Sequence, residues 1–321
     1  MTSNQAARRL GKTDILVTPI GLGVMQFSGG SGGFRFMFDD IPQVDKNQII
    51  AGALDGGINW FDTAEMYGRG RSEHALATGL SAAGRQDEDV IVCTKWFPIL
   101  RTAANIGKTI DVRLRHLNGY SIDQYIVHQP WGFSSPEQEM NAMADLLEAG
   151  KIRSIGVSNF NVERMHRAHK ALAARGMKLA TNQVQYSLLD RGIEHNGLLE
   201  AAKELGVSIV AWGPLASGLL SGKFHKDPRV LERTPIGRRM RLRDQIDRTR
   251  PLIEALDAIS KQYEATIAQV ALNWLVHFSG ETVLAIPGAS KVHQAQEAAG
   301  AMRFRLSETD MATLDEVSRA I

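Results

Sequence analysis

The chain has 321 residues, of which 44% are hydrophobic and 22% are charged, and its formal net charge is +2. This composition is typical of a globular protein and excludes a disordered or fibrous chain, and the small net charge gives no sign of a nucleic-acid surface. The single cysteine, Cys93, excludes an intrachain disulfide and fits a reducing compartment. The N-terminal residues hold no apolar core of signal-peptide length, and no segment approaches about 18 uninterrupted apolar residues. We therefore expect a cytoplasmic protein that neither binds nucleic acid nor spans a membrane.

Short apolar runs alternate along the chain with longer segments of helical periodicity. The run IGLGVM at residues 20–25 predicts a buried strand, and INWFD at 58–62 predicts the next one. Between them, residues 45–57 predict a helix with Asp45 as its N-cap. Later strands are predicted at DVIVCTK, IDQYIVH, IRSIGVS, ATNQVQ, VSIVAW and TVLAIP.

The segments between these runs are predicted helices. One begins at Ser135 as N-cap, with Pro136 in its first turn, and others follow near residues 251–262 and 267–277. Eight strands with crossover helices favour a (β/α)8 barrel, a TIM barrel of the α/β class, over an open doubly wound sheet. The dinucleotide motif GxGxxG is also missing after the first strand. We predict a single domain over residues 1–321 with extended loops at the active-site face.

Four polar residues follow the predicted strands at one end of the barrel. Asp62 ends the second strand and Tyr67 lies in the loop after it, while Lys95 ends the third strand and His128 the fourth. Chemistry in such barrels takes place at the carboxyl ends of the strands, so these side chains should converge. Each residue alone has an ordinary structural explanation as a turn, solvated or packed side chain. Their occurrence at successive strand ends favours a catalytic group.

This group is suited to delivering a proton. Tyrosine normally titrates near pH 10, and a nearby Lys95 ammonium would lower the pKa of Tyr67. Asp62 would hold Lys95 charged, since a buried cation without a partner is costly. His128 would orient a carbonyl oxygen while Tyr67 protonates it. Because no side chain donates a hydride, the reaction needs a reduced cofactor.

The sequence resembles the aldo-keto reductases. The resemblance rests on NWFDTAEMYGRGRSE, VCTK, DQYIVHQP, IGVSNF, NQVQYSLLDR, AWGPLASGLLSGK and AIPGASKVHQAQEAAGA, which cover nearly the whole chain in the expected order. It implies a (β/α)8 barrel that binds an extended nicotinamide dinucleotide, and it implies Asp62, Tyr67, Lys95 and His128 as the catalytic set. The stretch after the last strand resembles most the branch that includes potassium-channel β subunits and bacterial reductases.

The resemblance also implies which residues hold the coenzyme. Ser158, Asn159 and Gln183 would bind the nicotinamide carboxamide, and Trp212 would lie against the nicotinamide ring. The other implied contacts are Met25, Asp62, Gly213, Leu215, Ser217, Gly218, Lys223, Arg233, Gly288, Ser290, Lys291, Gln294 and Glu297. Residues 223–243 are rich in Lys and Arg, and cations recognise a 2′-phosphate well, so we predict NADP as the coenzyme with NAD as the alternative.

The substrate is predicted only as a class. Trp96 follows the lysine, Trp131 follows the histidine, and the first loop carries Phe34 within GGFRFMFDD, so an aromatic wall is expected at the rim. Such a wall suits aromatic or aliphatic carbonyls and also sugars. The Phe cluster fits a subunit contact equally well, which leaves a homo-oligomer open. No residue pattern predicts a metal site.

Three functions remain as alternatives at this point. The first is an NAD(P)H-dependent carbonyl reductase with Tyr67 as general acid. The second is a nucleotide-sensing regulatory subunit of the channel-β type. The third is a Schiff-base lyase that uses Lys95, for which the GPLASGLLSGK stretch would have no purpose.

Overall fold

A curled sheet of parallel strands forms the centre of the protein, and helices surround it. The computed structural model describes residues 7–29, 39–232, 234 and 236–321. The strands are β1 (Arg8–Arg9), β2 (Leu16–Val17), β3 (Leu22–Gly23), β4 (Trp60–Asp62), β5 (Ile91–Trp96), β6 (Gln124–Val127), β7 (Ile155–Ser158), β8 (Leu179–Gln185), β9 (Ser208–Trp212) and β10 (Val283–Ala285). The helices are α1 (Gln43–Asp55), α2 (Arg71–Ala82), α3 (Ala104–Leu117), α4 (Pro136–Glu148), α5 (Val162–Ala173), α6 (Leu198–Leu205), α7 (Lys223–Lys226), α8 (Pro228–Glu232), α9 (Ile236–Gln262), α10 (Ile267–Phe278), α11 (Val292–Gly300) and α12 (Glu308–Arg319).

The sheet closes on itself. Strands β3 to β10 pair in chain order, and every pair is parallel. The first and last strands then meet, because the amide of Gly21 donates to the carbonyl of Ala285 at 2.8 Å and the amide of Gly23 donates to that of Pro287 at 3.0 Å. The predicted (β/α)8 barrel is therefore confirmed.

A hairpin covers the amino-terminal end of the barrel. Strands β1 and β2 pair antiparallel, and three side chains from this hairpin are buried against the barrel interior. The buried cluster consists of Leu10, Ile15, Val17, Trp60, Cys93, Ala180, Val210, Leu284 and Ile286. This end is therefore apolar and closed, which leaves the opposite end for chemistry.

Strand alternation makes the opposite end polar. Side chains two residues apart on a strand share a face, so Asp62 lies above Trp60 and Lys95 lies above Cys93 inside the barrel. Trp60 and Cys93 belong to the apolar floor. Strands β4 and β5 therefore each carry one residue of the apolar cluster and one residue of the polar end on the same face of the strand.

Helix caps agree with the sequence in one case and differ in another. Ser135 caps α4 in a reciprocal capping box with Gln138, as predicted. The prediction that Asp45 caps the first helix is wrong, because α1 begins at Gln43 and the carbonyl of Pro42 already accepts from the amides of Asp45 and Lys46. Pro42, which has an extended backbone and a φ fixed by its ring, is the N-cap residue and lies three residues before Asp45.

The polar segment before residue 251 is more helical than the sequence suggests. Helix α9 runs from Ile236 to Gln262 with Pro251 inside it, whereas the sequence predicts a helix that starts near this proline. Leu242 and Thr249 are buried along α9, and Pro251 cannot donate the helical hydrogen bond at its own position. Within the part of the chain that the structure describes, none of the helices combines the length and apolarity needed to cross a bilayer.

Candidate active site

A buried ion pair lies at the polar end of the barrel. The ammonium of Lys95 donates to a carboxylate oxygen of Asp62 and, at 2.7 Å, to the carbonyl oxygen of Thr63. Both side chains are buried, with 0% of Lys95 and 3% of Asp62 exposed. The second oxygen of Asp62 accepts from the amide nitrogen of Gln183 at 2.9 Å. The carboxylate therefore ties β4, β5 and β8 together at one point.

Tyr67 and His128 lie beside this pair. The Lys95 ammonium is 5.3 Å from the centre of the Tyr67 ring. The rings of Tyr67 and His128 are 5.6 Å apart and nearly perpendicular, at 80°. The four residues that the sequence selects at successive strand ends are thus brought together in space.

The charges of this group follow from burial and from the ion pair. Burial by itself would lower the pKa of Lys95, but Asp62 and Tyr67 favour the ammonium and the net pKa lies above its usual value. Burial, together with repulsion from Lys95, holds the pKa of His128 well below its usual range, so this imidazole is neutral near pH 7. Its Nδ1 atom has no hydrogen-bond partner in the described chain.

The net pKa of Tyr67 differs from the sequence prediction. Burial raises it, and Lys95 lowers it by a smaller amount. The predicted effect of the lysine has the right sign, whereas the predicted net direction is wrong because desolvation of the phenolate is the larger contribution. The phenol therefore stays protonated through neutral pH, which is the form that donates a proton.

A second polar group adjoins the first through Gln183. The hydroxyl of Ser158 donates to the carbonyl of Gln183 at 2.8 Å, and the amide nitrogen of Asn159 donates to Ser158 Oγ at 3.1 Å. The indole of Trp212 donates to Asn159 Oδ1 at 3.2 Å. Asn159 has a left-handed backbone, with φ of 60°. These four residues form a continuous polar edge, with the half-buried Trp212 ring beside it.

The loop after β9 has an unusual backbone. Ala216, Ser217 and Gly218 all have positive φ values, of 46°, 56° and 91°, and Gly213 has a φ of 66°. Two consecutive non-glycine residues in this region are strained, and such strain concentrates at ligand-binding loops. A Cβ atom built at Gly218 would lie 3.2 Å from Nζ of Lys223. The loop therefore places a lysine over a glycine whose backbone a ligand can approach closely.

The residues predicted around the adenosine lie at the start of α11. The amide and hydroxyl of Ser290 both contact Gln294 Oε1, at 2.8 and 3.2 Å. Lys291 is the N-cap residue of α11, and Glu297 is half-buried in the same helix.

Gly288 pairs with Gly23 where the first and last strands of the barrel meet. A Cβ atom at position 288 would lie 2.1 Å from the Gln26 side chain and would clash with it.

Two other predicted coenzyme residues are half-buried near the strand ends. Met25 begins a 3-10 turn after β3, and its carbonyl accepts from the Ser28 hydroxyl at 2.6 Å. The carbonyl of Leu215 accepts from the amide of Gly218 at 2.8 Å. Arg233, predicted at the 2′-phosphate, and Phe34, predicted at the substrate, lie outside the described residues.

The prediction that Trp96 stands at the rim is wrong. Trp96 is 0% exposed, and its indole donates to Asn105 Oδ1 at 3.0 Å. Lys95 points into the barrel, so the next side chain on the strand points outward into the helix layer. Trp131, in contrast, is 58% exposed, as expected for a rim residue.

We therefore expect Trp96→Phe to affect stability and not substrate binding. The phenyl ring removes the donor to Asn105 and leaves a small void, which should cost about 1–3 kcal/mol in the free energy of unfolding. Urea denaturation and KM measured on the same preparation check this. A changed KM with an unchanged free energy of unfolding would instead indicate that Trp96 contacts the substrate.

Several residues at the site were not selected by the sequence analysis. The Phe97 ring lies 5.9 Å from that of His128, and the Gln129 side chain accepts from Asn159 Nδ2 at 3.1 Å. Glu65 fixes the loop after β5. One of its carboxylate oxygens accepts from the backbone amide of Phe97 and from the guanidinium of Arg101, both at 2.6 Å. Phe97 and Gln129 directly follow strand-end residues that had been selected, which is the signal that could have identified them.

Within residues 7–29, 39–232, 234 and 236–321, no group of three or more metal-ligating side chains is found.

Comparison with known proteins gives a consistent result. A model of the aldo/keto reductase family matches residues 19–319. An uncharacterized oxidoreductase of Mycobacterium tuberculosis is 34% identical over 95% of this chain and 90% of its own length. A chloroplastic pyridoxal reductase of Arabidopsis thaliana is 31% identical over 94% of this chain and 84% of its own. A crystal structure of an aldo/keto reductase from Klebsiella pneumoniae with NADP and acetate superposes with a TM-score of 0.71 at 28% identity, covering 94% of this chain and 91% of that one.

Proposed function

Because the chain belongs to the aldo/keto reductase family of oxidoreductases, we propose that it reduces a small aldehyde, ketone or sugar carbonyl, with Tyr67 as the general acid. The observation that carries the proposal is the buried Lys95–Asp62 pair, whose ammonium lies 5.3 Å from the Tyr67 ring. A protonated phenol beside a fixed cation can release its proton at an oxygen that gains negative charge.

Each residue has a defined task in this mechanism. Tyr67 donates its hydroxyl proton to the carbonyl oxygen, and Lys95 stabilises the phenolate that remains. Asp62 keeps Lys95 charged and in place through the buried contact. His128 is neutral and 7% exposed, so it can donate one hydrogen bond to the carbonyl oxygen without adding a charge.

The polar edge and the strained loop fit a nicotinamide dinucleotide. Ser158, Asn159 and Gln183 offer the donors and acceptors that a carboxamide needs, and Trp212 offers a flat face. Gly213, Ser217 and Gly218, with their neighbour Leu215, suit a pyrophosphate, since a left-handed backbone favours anions and glycine allows close approach. Met25, Gly288, Ser290, Lys291, Gln294 and Glu297 complete the proposed contacts. When bound, the reduced nicotinamide supplies the hydride.

We expect the coenzyme to be NADP(H), with Lys223 and Arg233 at the 2′-phosphate. A Lys223→Ala, Arg233→Ala double variant should lose at least roughly 10- to 150-fold in NADPH affinity, because the loss of one charge-assisted contact alone costs about 1.5–3 kcal/mol. NADH affinity should change little. Fluorescence titration of both coenzymes measures this, with Lys226→Ala as a control for charge, since Lys226 is 62% exposed and pairs with Asp257. Equal wild-type affinities for the two coenzymes would contradict the NADP assignment. An NADPH preference that survives the double variant would indicate that Ser290 and Lys291 bind the 2′-phosphate.

Trp131 should contribute to substrate binding. We expect Trp131→Ala to raise KM for aromatic aldehydes about two- to tenfold with little change in kcat, because an aromatic contact contributes roughly 0.5–1.5 kcal/mol. Phe133, which is 69% exposed two residues further on, gives a matched control as Phe133→Ala. Identical KM values for Trp131→Ala and wild type would mean that Trp131 does not contact the substrate.

The two other functions considered from the sequence have less support. A Schiff-base lyase needs a neutral amine, whereas Asp62 and Tyr67 raise the pKa of Lys95 against the opposing effect of burial, and the ammonium donates to Asp62 and to the carbonyl of Thr63. A nucleotide-sensing subunit of the channel-β type would keep the coenzyme residues and need no turnover.

The deciding experiment is a panel of carbonyl compounds. Aldehydes, ketones and sugars, with pyridoxal included because of the Arabidopsis relative, are assayed by the loss of absorbance of NADPH. Turnover of any carbonyl supports the reductase. Tight coenzyme binding without turnover across the panel would favour the regulatory subunit, and borohydride trapping of a carbonyl on Lys95 would favour the lyase.

A further inference from the structure

A cleft with three cations opens between the first two helices of the barrel. It has a volume of about 480 Å³, and its ionisable lining residues are Lys46, Arg69, Arg71, His74, His116 and Asp40. Its position differs from that of the proposed coenzyme residues, none of which lines it. Arg69 follows Tyr67 by two residues, so the two Cα atoms are at most about 7 Å apart.

The cations in the cleft lack partners in the described chain. Lys46 is only 8% exposed, yet its side chain forms no hydrogen bond or ion pair with a described residue. The side chains of Arg69 and Arg71 likewise form none. Both of these arginines are exposed, whereas the buried Arg113 and Arg191 pair with glutamates. Asp40 is the one acid among the described residues that line the cleft, so the Lys46 ammonium and the two guanidinium groups lack a close counter-charge and favour an anion from solution.

The cations also lie close to one another. Burial lowers the pKa of Lys46, with a further contribution from the charge of Arg71, while Asp40 opposes both. Asp40 is exposed and lies beyond ion-pair distance of Lys46. A single carboxylate at the edge therefore leaves an excess of positive charge in the cleft.

Two helix N-termini face the same space. Helix α1 begins after Pro42 and α2 begins after Gly70, and neither N-cap residue provides a side-chain hydrogen bond. Pro42, Gln43, Gly70 and Arg71 all line the cleft. Helix N-termini favour anions because the helix dipole is positive there. At α2 the amides of Arg71 and Ser72 already donate to the carbonyls of Gly68 and Tyr67, so this helix contributes through its dipole.

Glycine at position 70 allows this geometry. Gly70 has a φ of 92°, and a Cβ atom there would lie 1.9 Å from Nδ1 of His116. The His116 nitrogen contacts Glu73 Oε2 at 3.2 Å, so Glu73 is turned away from the cleft towards Arg113 and His116. The one acid in the first turn of α2 is therefore neutralised on the inner side.

We propose that this cleft binds a phosphoryl group, as a dianion held by Lys46, Arg69, Arg71 and the N-termini of α1 and α2. A dianion with several acceptor oxygens matches three cations and two helix ends better than a carboxylate does. The group can belong to the far end of a carbonyl substrate or to free phosphate, and both share this chemistry. The binding site itself does not depend on the proposed reductase activity.

The first test titrates inorganic phosphate into the full-length protein at low ionic strength by calorimetry. We expect saturable binding to wild type and at least a tenfold loss in Lys46→Gln, Arg71→Gln, since each lost charge-assisted contact reduces affinity by roughly tenfold or more. The matched control is Arg85→Gln, Lys108→Gln, which removes the same two charges from exposed positions outside the cleft. Arg71→Gln alone, at an exposed position, serves if the double variant does not fold. Absent binding in wild type, or equal weakening in both double variants as for an adventitious ion only, would overturn the proposal.

The second test identifies the source of the phosphoryl group and rests on the proposed function. It compares KM for glyceraldehyde 3-phosphate and for glyceraldehyde in wild type and in Lys46→Gln, Arg71→Gln. A tenfold or greater rise for the phosphorylated aldehyde alone assigns the group to the substrate. Unchanged KM values with lost phosphate binding assign it to free phosphate. If no aldehyde is reduced, the proposed function fails, while the calorimetry still decides whether the site exists.

Discussion

Replacing Tyr67 with Phe should lower kcat for carbonyl reduction by roughly 10²- to 10⁴-fold, which is the usual contribution of a general acid. The ring still fills its place beside His128, so the barrel should fold and bind NADPH with unchanged affinity. Absorbance assays give kcat, and fluorescence titration gives the coenzyme affinity.

A matched control for Tyr67→Phe is Tyr120→Phe. The Tyr120 hydroxyl donates to the carbonyl of Arg85 at 2.7 Å, away from the four catalytic candidates. This variant also loses one hydroxyl and should keep wild-type turnover. If Tyr67→Phe turned over within about threefold of wild type, Tyr67 would not be the acid.

Replacing Lys95 with Met should reduce both activity and stability. Methionine leaves the buried Asp62 carboxylate with Gln183 as donor and no counter-charge, and breaking a buried ion pair costs about 3–5 kcal/mol in the free energy of unfolding. The variant also removes the cation that lowers the pKa of Tyr67, so the alkaline limit of any residual reduction should move to higher pH.

The pH dependence of this loss has a defined sign. The pKa of Lys95 is raised in the folded protein, so its contribution to stability is fully present below the unfolded pKa, near 10.4, and is lost as pH rises through the folded pKa. The stability difference between wild type and Lys95→Met should therefore be constant around neutral pH and shrink only in alkaline solution.

Urea denaturation at several pH values measures this difference. Lys151→Met is the control, because it breaks an exposed pair with Asp111 and should cost less than about 1 kcal/mol. Equal losses in the two variants would mean that the Lys95–Asp62 pair contributes no more than a surface pair.

Spacing along the chain was enough to predict the barrel and the four residues at its mouth. Parallel strands carry their carboxyl ends to one edge, so Asp62, Lys95 and His128 must share that edge once the strands are identified. Helix caps are local too, and Ser135 was correctly assigned because its partner Gln138 lies in the same turn.

Properties that depend on burial needed the tertiary structure. The net pKa of Tyr67 is set by the surrounding side chains that exclude water, and Trp96 faces the helices because Lys95 faces the interior. The cation cleft joins residues from α1, the Tyr67 loop and the end of α3, which only helix packing brings together. Periodicity determines which faces are apolar and which strand ends are polar, because these are local properties of the chain. Desolvation and charge clustering arise between segments distant in sequence, and for that reason the fold alone decides them.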